Sequence, residues 1–235
     1  MPTELPVYNA RKEIIKMSGT APHPHPSFSA FIPRNKEQQT RWLARPVPEV
    51  IADLLVQANR FTFNGKNILK LRQSVANNHT SQNPEEEVRY ERLLVMSNPN
   101  ELYNQFAFHG KIAVDLVRVQ GNYLTHLFEL KTGSNNLRYG VYELVYYYFL
   151  LRRAQEENKA ISFLNKPNTL VRLANPLILC VLVPQEWEQD TPFLRAVQQA
   201  LLEMGNPRIY RQNLLPDWEA HLEMTQRLKA WITPQ

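Results

Sequence analysis

The sequence predicts an α/β fold with a mixed central sheet flanked by helices, and three observations carry the prediction. Residues 102–108, 111–119 and 123–131 are runs rich in β-branched and aromatic side chains. They are parted by His109 and Gly110 and by Gln120, Gly121 and Asn122, the pattern of an antiparallel meander. Residues 137–155 then place Val141, Leu144, Val145, Tyr148, Phe149 and Leu151 at helical spacing. Residues 177–183 form an unbroken apolar run of strand length, stopped by Pro184. A strand, a long helix and a buried strand in that order predict a right-handed crossover, with 177–183 parallel to 123–131.

Length and composition set the frame for these elements. A chain of 235 residues, 43% hydrophobic and 21% charged, can bury one sizeable core. The expectation is a single domain over 49–235 with its core at 85–185. Residues 1–48 hold 8 of the 17 prolines, including Pro22, Pro24, Pro26, Pro46 and Pro48, and predict an irregular proline-rich N-terminal arm. His23 and His25 lie between prolines that force extended backbone, so they read as loop residues. Arg34, Lys36, Arg41 and Arg45 give the same arm a basic cluster.

The remaining elements follow in order. Residues 49–59 carry Val50, Ile51, Leu54, Leu55 and Ala58 at amphipathic helical spacing. Residues 61–63 and 68–71 flank Asn64 and Gly65, a hairpin signal. A polar loop at 74–84 ends at Pro84, and Glu85, Glu86 and Glu87 then open a helix that carries Val88, Leu94 and Val95. The tail predicts two more helices, 192–204 and 216–232, joined through 208–211.

Several function classes are excluded at this point. No run of 18 apolar residues occurs, and Glu4, Pro6 and Lys12 stand where an export signal needs an apolar stretch; the expectation is no membrane partner and a cytoplasmic location. Cys180 is the single cysteine, which rules out a disulfide framework, a zinc ribbon or an iron–sulfur cluster within one chain. Its apolar neighbours make it a small buried hydrophobe. There is no GxxxxGK[ST] loop, no GxSxG elbow and no HExxH. A net charge of +5 is a mild bias toward a polyanionic partner.

Chemistry concentrates in the meander. Glu129 and Lys131 are two apart in a strand, so they project to one face while Phe128 and Leu130 project to the other. Two charges among apolar neighbours are costly to bury unless they pair or hold an ion. An acidic-x-Lys match is by itself uninformative, since about one arises by chance in such a chain. A second match, Glu157 to Lys159, lies among charged residues and reads as surface. Whether Asp115 joins Glu129 depends on parity. A three-residue loop at 120–122 sets Asp115 opposite Leu127, on the Glu129 face, and a two-residue turn sets it on the other face unless a bulge restores the parity. Gly121 and Asn122 can both supply the positive φ that the three-residue loop needs.

Asp115 and Glu129-x-Lys131 on a β-hairpin, followed by a helix and a buried strand, resemble the PD-(D/E)xK nuclease superfamily. The resemblance implies a restriction-endonuclease-like sheet and a Mg²⁺ ion, with Mn²⁺ as substitute, held by Asp115, Glu129 and the carbonyl of Leu130. It implies that Lys131 orients or deprotonates the attacking water and offsets charge developing at phosphorus. Val114 stands where the motif's proline would be. Members often carry a glutamate on the preceding helix, for which Glu91 is the candidate, with Glu87 and Glu101 as alternatives. They often place a polar residue on the following helix, and Tyr139 and Glu143, one turn apart, are the candidates. For Glu143 a functional role and a surface role weigh equally.

The implied function is a metal-dependent nuclease that hydrolyses phosphodiester bonds in nucleic acid, DNA being the superfamily's commoner substrate. Arg138, Arg152, Arg153 and Lys166 are then candidate phosphate contacts, and a homodimer is a common assembly. The alternatives are a catalytically inactive nucleic-acid- or protein-binding module of the same fold, and an unrelated α/β interaction protein with a merely structural Glu129–Lys131 pair. His109 and His126 read as structural, since neither has an identifiable catalytic partner.

Overall fold

Asn35 starts the helix that follows it by accepting hydrogen bonds through Oδ1 from the main-chain N–H groups of Glu37 and Gln38, at 2.9 and 3.3 Å. The computed structural model in which this is seen describes residues 33, 35–61, 63, 69–72, 91, 94–95, 98–109, 112–131, 137–163, 169–184, 191–205 and 207–214. Helix α1 (Lys36–Leu43) is followed at once by α2 (Val47–Arg60), whose N-cap is Pro46 and whose first turn holds Pro48. Residues 36–43 and 47–48, expected to be irregular, are thus helical. Prolines read as loop punctuation start a helix here, because the first-turn N–H groups have no intrahelical acceptor to lose. The readings of His23, His25 and Arg34, of Asn64 and Gly65, of 74–84, of Glu85 to Glu87, of Lys166 and of 216–232 fall outside the described residues.

The protein is α/β, with a mixed sheet flanked by helices. Strand β1 (Leu69–Arg72) pairs antiparallel with β2 (Leu102–His109) and parallel with β5 (Ile161–Phe163). Among the described residues of the expected hairpin, residues 69–71 pair with β2 and β5 and not with Phe61 or Phe63. Phe61 and Phe63 instead follow α2 outside any strand, both buried, their rings edge to face at 4.8 Å. Alternating aromatics satisfied the strand pattern, but burial alone explains them.

The meander is as expected: β2, then β3 (Ile112–Gln120), then β4 (Tyr123–Leu130), each antiparallel to the last. Its second turn differs from the loop favoured above. Gln120 pairs with Tyr123, so the turn has two residues, with Gly121 at φ +58°. The register then shifts, with Val119 opposite Leu124 but Arg118 opposite His126, leaving Thr125 as the extra residue of a β-bulge. The bulge reverses the parity once more, and Leu116 comes to face Phe128.

Helix α3 (Leu137–Glu156) is buried on nearly every side, and Tyr146, Tyr147 and Tyr148 are all within the core. A helix apolar all round belongs inside a protein, and this one lies between the sheet and α2. Strand β6 (Leu170–Pro184) runs parallel to β4, as the crossover predicted. It is longer than the apolar run because its first half is only partly buried. Residues 208–211, read above as a connection, belong to β7 (Arg208–Leu214), parallel to β6. Ile209 is buried while Arg208 and Tyr210 are exposed, so this marginal strand carries too little apolar signal to stand out.

Two clusters of buried side chains cover the two faces. The larger joins the sheet to α2, α3 and α4 (Thr191–Leu201); the smaller holds Leu94, Val95, Leu102, Leu116, Phe128, Leu130, Cys180 and Leu182. Burial pushes the Cys180 thiol up to about 12, so it stays a protonated hydrophobe. No helix among the described residues is long and apolar enough to cross a membrane.

A single-turn 3₁₀ helix (Leu202–Met204) ends at Gly205, where φ is +102°. Arg152 donates through Nη1 to the Met204 carbonyl at 3.2 Å, and Tyr148 donates its hydroxyl to the same oxygen at 2.9 Å. A Cβ on residue 205 would collide with both side chains. Gly205→Ala is expected to cost about 2 kcal/mol from the backbone alone, and more from the collision. A melting temperature lowered by at least roughly 4–8 °C is the readout.

Candidate active site

The ladder between β3 and β4 ends at Leu116 opposite Phe128, so the next residues, Asp115 and Glu129, face each other on the side reached by α3. There β4 turns from the main chain of β3 to its side chain: the Leu130 N–H donates to Asp115 Oδ2 at 2.9 Å. On its other edge β4 stays bonded to β6, with Glu129 opposite Val181 and the Lys131 N–H donating to the Leu182 carbonyl at 3.0 Å. Lys131 Nζ lies 2.5 Å from Glu129 Oε1 and 3.3 Å from Glu143 Oε2. It also sits 5.7 Å from the centre of the Tyr139 ring.

Helix α3 closes the site from above. Gly140 makes this approach possible, since a Cβ there would lie 3.1 Å from Lys131 Cγ and 3.3 Å from Val181 Cγ1. One turn on, Glu143 reaches the ammonium, and one turn further Tyr147 donates its hydroxyl to Glu143 Oε1 at 2.9 Å. Glu143 is therefore mostly buried beside the ammonium rather than on the solvent face of the helix. Tyr147 was missed, although its i+4 spacing from Glu143 was there to be read.

Three carboxylates surround one ammonium, so the fully ionised set carries a formal charge of −2 in a place with little water. Burial raises the Glu129 carboxyl well above its usual value, repulsion from Asp115 and Glu143 adds to this, and Lys131 offsets only part. For Lys131 burial is the largest single effect and opposes the charge, but Glu129, Glu143 and Asp115 together outweigh it and hold the ammonium above its usual range. Tyr139 is pushed up to about 12 by burial and by Glu143, and Tyr147 is raised by the same causes. Both hydroxyls therefore remain protonated donors. Among the described residues no donor reaches the buried Glu129 Oε2, a costly state unless it takes a proton, as its contact with the Glu143 carboxyl allows, or faces a cation.

Glu101 and His126 belong to the other face of the sheet. Glu101 pairs with Arg118 at 2.5 Å, and Arg118 stands opposite His126 on the face away from Glu129. Glu91 is a buried helical residue near Leu94 and Val95, which pack with Phe128 and Leu130; Glu87 lies outside the described residues. His126 stacks on Phe128 at 5.5 Å, and burial, with Arg118 adding to it, lowers its ring to about 3. It is a neutral core side chain.

The arginines expected to meet phosphate are committed to internal partners. Arg138 lies over the Phe193 ring at 4.9 Å and donates to the Leu43 carbonyl. Arg152 is held by Tyr148 and Met204, and Arg153 donates to the carbonyls of Ala58 and Asn59 and pairs with Glu157. Arg152 and Arg153 also lie about 14 Å along the helix from Glu143. Basic residues on this helix satisfy carbonyls at the ends of the helices around it, which the sequence spacing could not reveal.

Fold and site together define an α/β protein with a mixed sheet and a buried acid–lysine cluster at the carboxyl end of a parallel strand pair. No family model, no curated protein and no solved structure matches the chain. Among the described residues there is no ready-made group of three or more histidine, cysteine, aspartate or glutamate side chains that could hold a metal ion. What the geometry offers is an all-oxygen set, two carboxylates beside a main-chain strand end, with an ammonium between Glu129 and Glu143.

Proposed function

We propose that this protein is a divalent-metal-dependent nuclease of the PD-(D/E)xK type that hydrolyses phosphodiester bonds, in DNA before RNA. The observation that carries the reading is the cluster of Asp115, Glu129, Glu143 and Lys131, which sets one ammonium against three carboxylates and buries Glu129 Oε2 with no donor among the described residues. Hard oxygen donors and a deficit of two charges suit Mg²⁺ or Mn²⁺.

Asp115 and Glu129, with the Leu130 carbonyl, are the residues that would hold the ion. When bound, such an ion supplies a nucleophile at neutral pH and neutralises charge on the phosphoryl oxygens. Lys131 is fixed by Glu129 and Glu143 at the same edge, where its ammonium can hold the attacking water by its oxygen and offset charge on the transition state. Glu143, itself fixed by Tyr147, is a positioning residue that keeps Lys131 charged and aimed. Tyr139 sets its ring face beside the Lys131 ammonium, 5.7 Å from Nζ to the ring centre.

The direct test is incubation of purified protein with plasmid, single-stranded DNA and RNA in Mg²⁺ or Mn²⁺, with chelator as control. Cleavage that survives Lys131→Ala and Asp115→Asn together would refute the reading. A binding measurement accompanies it. Mn²⁺ at a hundred times its dissociation constant is expected to raise stability by about 2.7 kcal/mol, or roughly 5–10 °C in melting temperature. Asp115→Asn should lose most of that shift.

A further inference from the structure

Strands β4, β6 and β7 are parallel and end at one edge of the sheet. In α/β sheets ligands bind outside the carboxyl ends of such strands. Cα partners across that edge fix which side chains share a face, since residues directly opposite project the same way. Glu129 is opposite Val181, and Val181 is opposite Arg211, so the acidic cluster and Arg211 stand in one row. Ile209, two residues before Arg211, joins Leu179 and Val183 in the core beneath α3, which identifies this face as the Glu129 face. Val181, the residue between, is the one that packs under Gly140 beside Lys131. Two strand spacings, about 10 Å, separate the Glu129 and Arg211 backbones.

We infer that Arg211 binds the substrate, gripping through its guanidinium the phosphodiester next to the scissile one. The inference rests on the nuclease reading above. A cluster with a net negative charge repels a polyanion except where a cation bridges them, so productive binding needs positive charge beside it along the strand. Arg211 shares the row of the cluster, whereas Arg152 and Arg153 lie about 14 Å along the helix from Glu143. Arginine suits the role because its planar fork meets two phosphate oxygens at once. Burial lowers the Arg211 guanidinium, and a partly dehydrated cation gains more from a phosphate than a fully hydrated one.

The test is steady-state cleavage and equilibrium binding of a 20-nucleotide DNA, single- and double-stranded, by the wild type, Arg211→Gln and Arg211→Lys. Arg211→Gln is expected to raise KM about tenfold with kcat changed less than about threefold, and to reduce the slope of log affinity against log salt by about one. Arg211→Lys should restore the salt slope but not the full affinity. Melting curves check the fold, and Arg211→Lys carries the test if Arg211→Gln does not fold. A cleaving protein whose KM and salt slope ignore both substitutions overturns the inference and leaves the nuclease reading standing. A wild type that neither binds nor cleaves removes both.

Discussion

Replacing Lys131 by alanine is expected to abolish cleavage, by about 10³-fold or more, and to destabilise the fold in a strongly pH-dependent way. Lys131 Nζ is the cation between Glu129 and Glu143, so the variant leaves three carboxylates with no ammonium among them. Removing one partner of a buried ion pair costs about 3–5 kcal/mol, which for a chain of this size is roughly 10 °C or more in melting temperature. The sign with pH follows from Glu129. Its carboxyl is raised by burial and by Asp115 and Glu143 above an ordinary value near 4.5, and losing Lys131 raises it further. The folded state therefore binds a proton that the unfolded chain has released, and stability falls as pH rises through the folded value. Melting curves of wild type and Lys131→Ala should thus lie close together near pH 4.5 and separate steadily toward pH 8. Parallel curves across that range would show that Lys131 does not neutralise the cluster.

Glu129→Gln is expected to be just as inactive and yet more stable than the wild type. The amide keeps the shape of the side chain, removes the carboxylate whose burial is most costly, and leaves Lys131 paired with Glu143. Exchanging a poorly compensated buried charge for a neutral group of equal size is worth about 1–3 kcal/mol, a rise of roughly 3–10 °C in melting temperature near pH 7. Cleavage should fall by at least about 10²-fold, and the Mn²⁺-induced shift should vanish. Loss of activity with a gain in stability is the mark of a carboxylate kept for function. Loss of both would make Glu129 a structural partner of Lys131 and nothing more.

The fold was legible wherever a segment's burial matched its period. The meander, the crossover helix and the parallel strand at 177–183 announce themselves because continuous apolar runs and strict alternation leave few other packings. Strands β5 and β7 did not, being a three-residue element and a half-exposed one. Helix α1 is polar, with Leu43 its one buried residue, and the start of α2 is masked by Pro46 and Pro48, whose meaning depends on whether a helix follows them.

For the site, sequence alone supplied the residue types and one fixed relation: Glu129 and Lys131 share a face because the strand period is two. Everything that required a second segment was decided by tertiary structure. The bulge at Thr125, not the length of the turn, set the side to which Asp115 points. The close pass of Gly140 over Lys131 drew Glu143 into the cluster, and the pairing of β6 with β7 put Arg211 in its row. Local spacing fixes the direction of a side chain relative to its own backbone, but distances between segments arise only when packing and register choose among arrangements that the local pattern leaves equal.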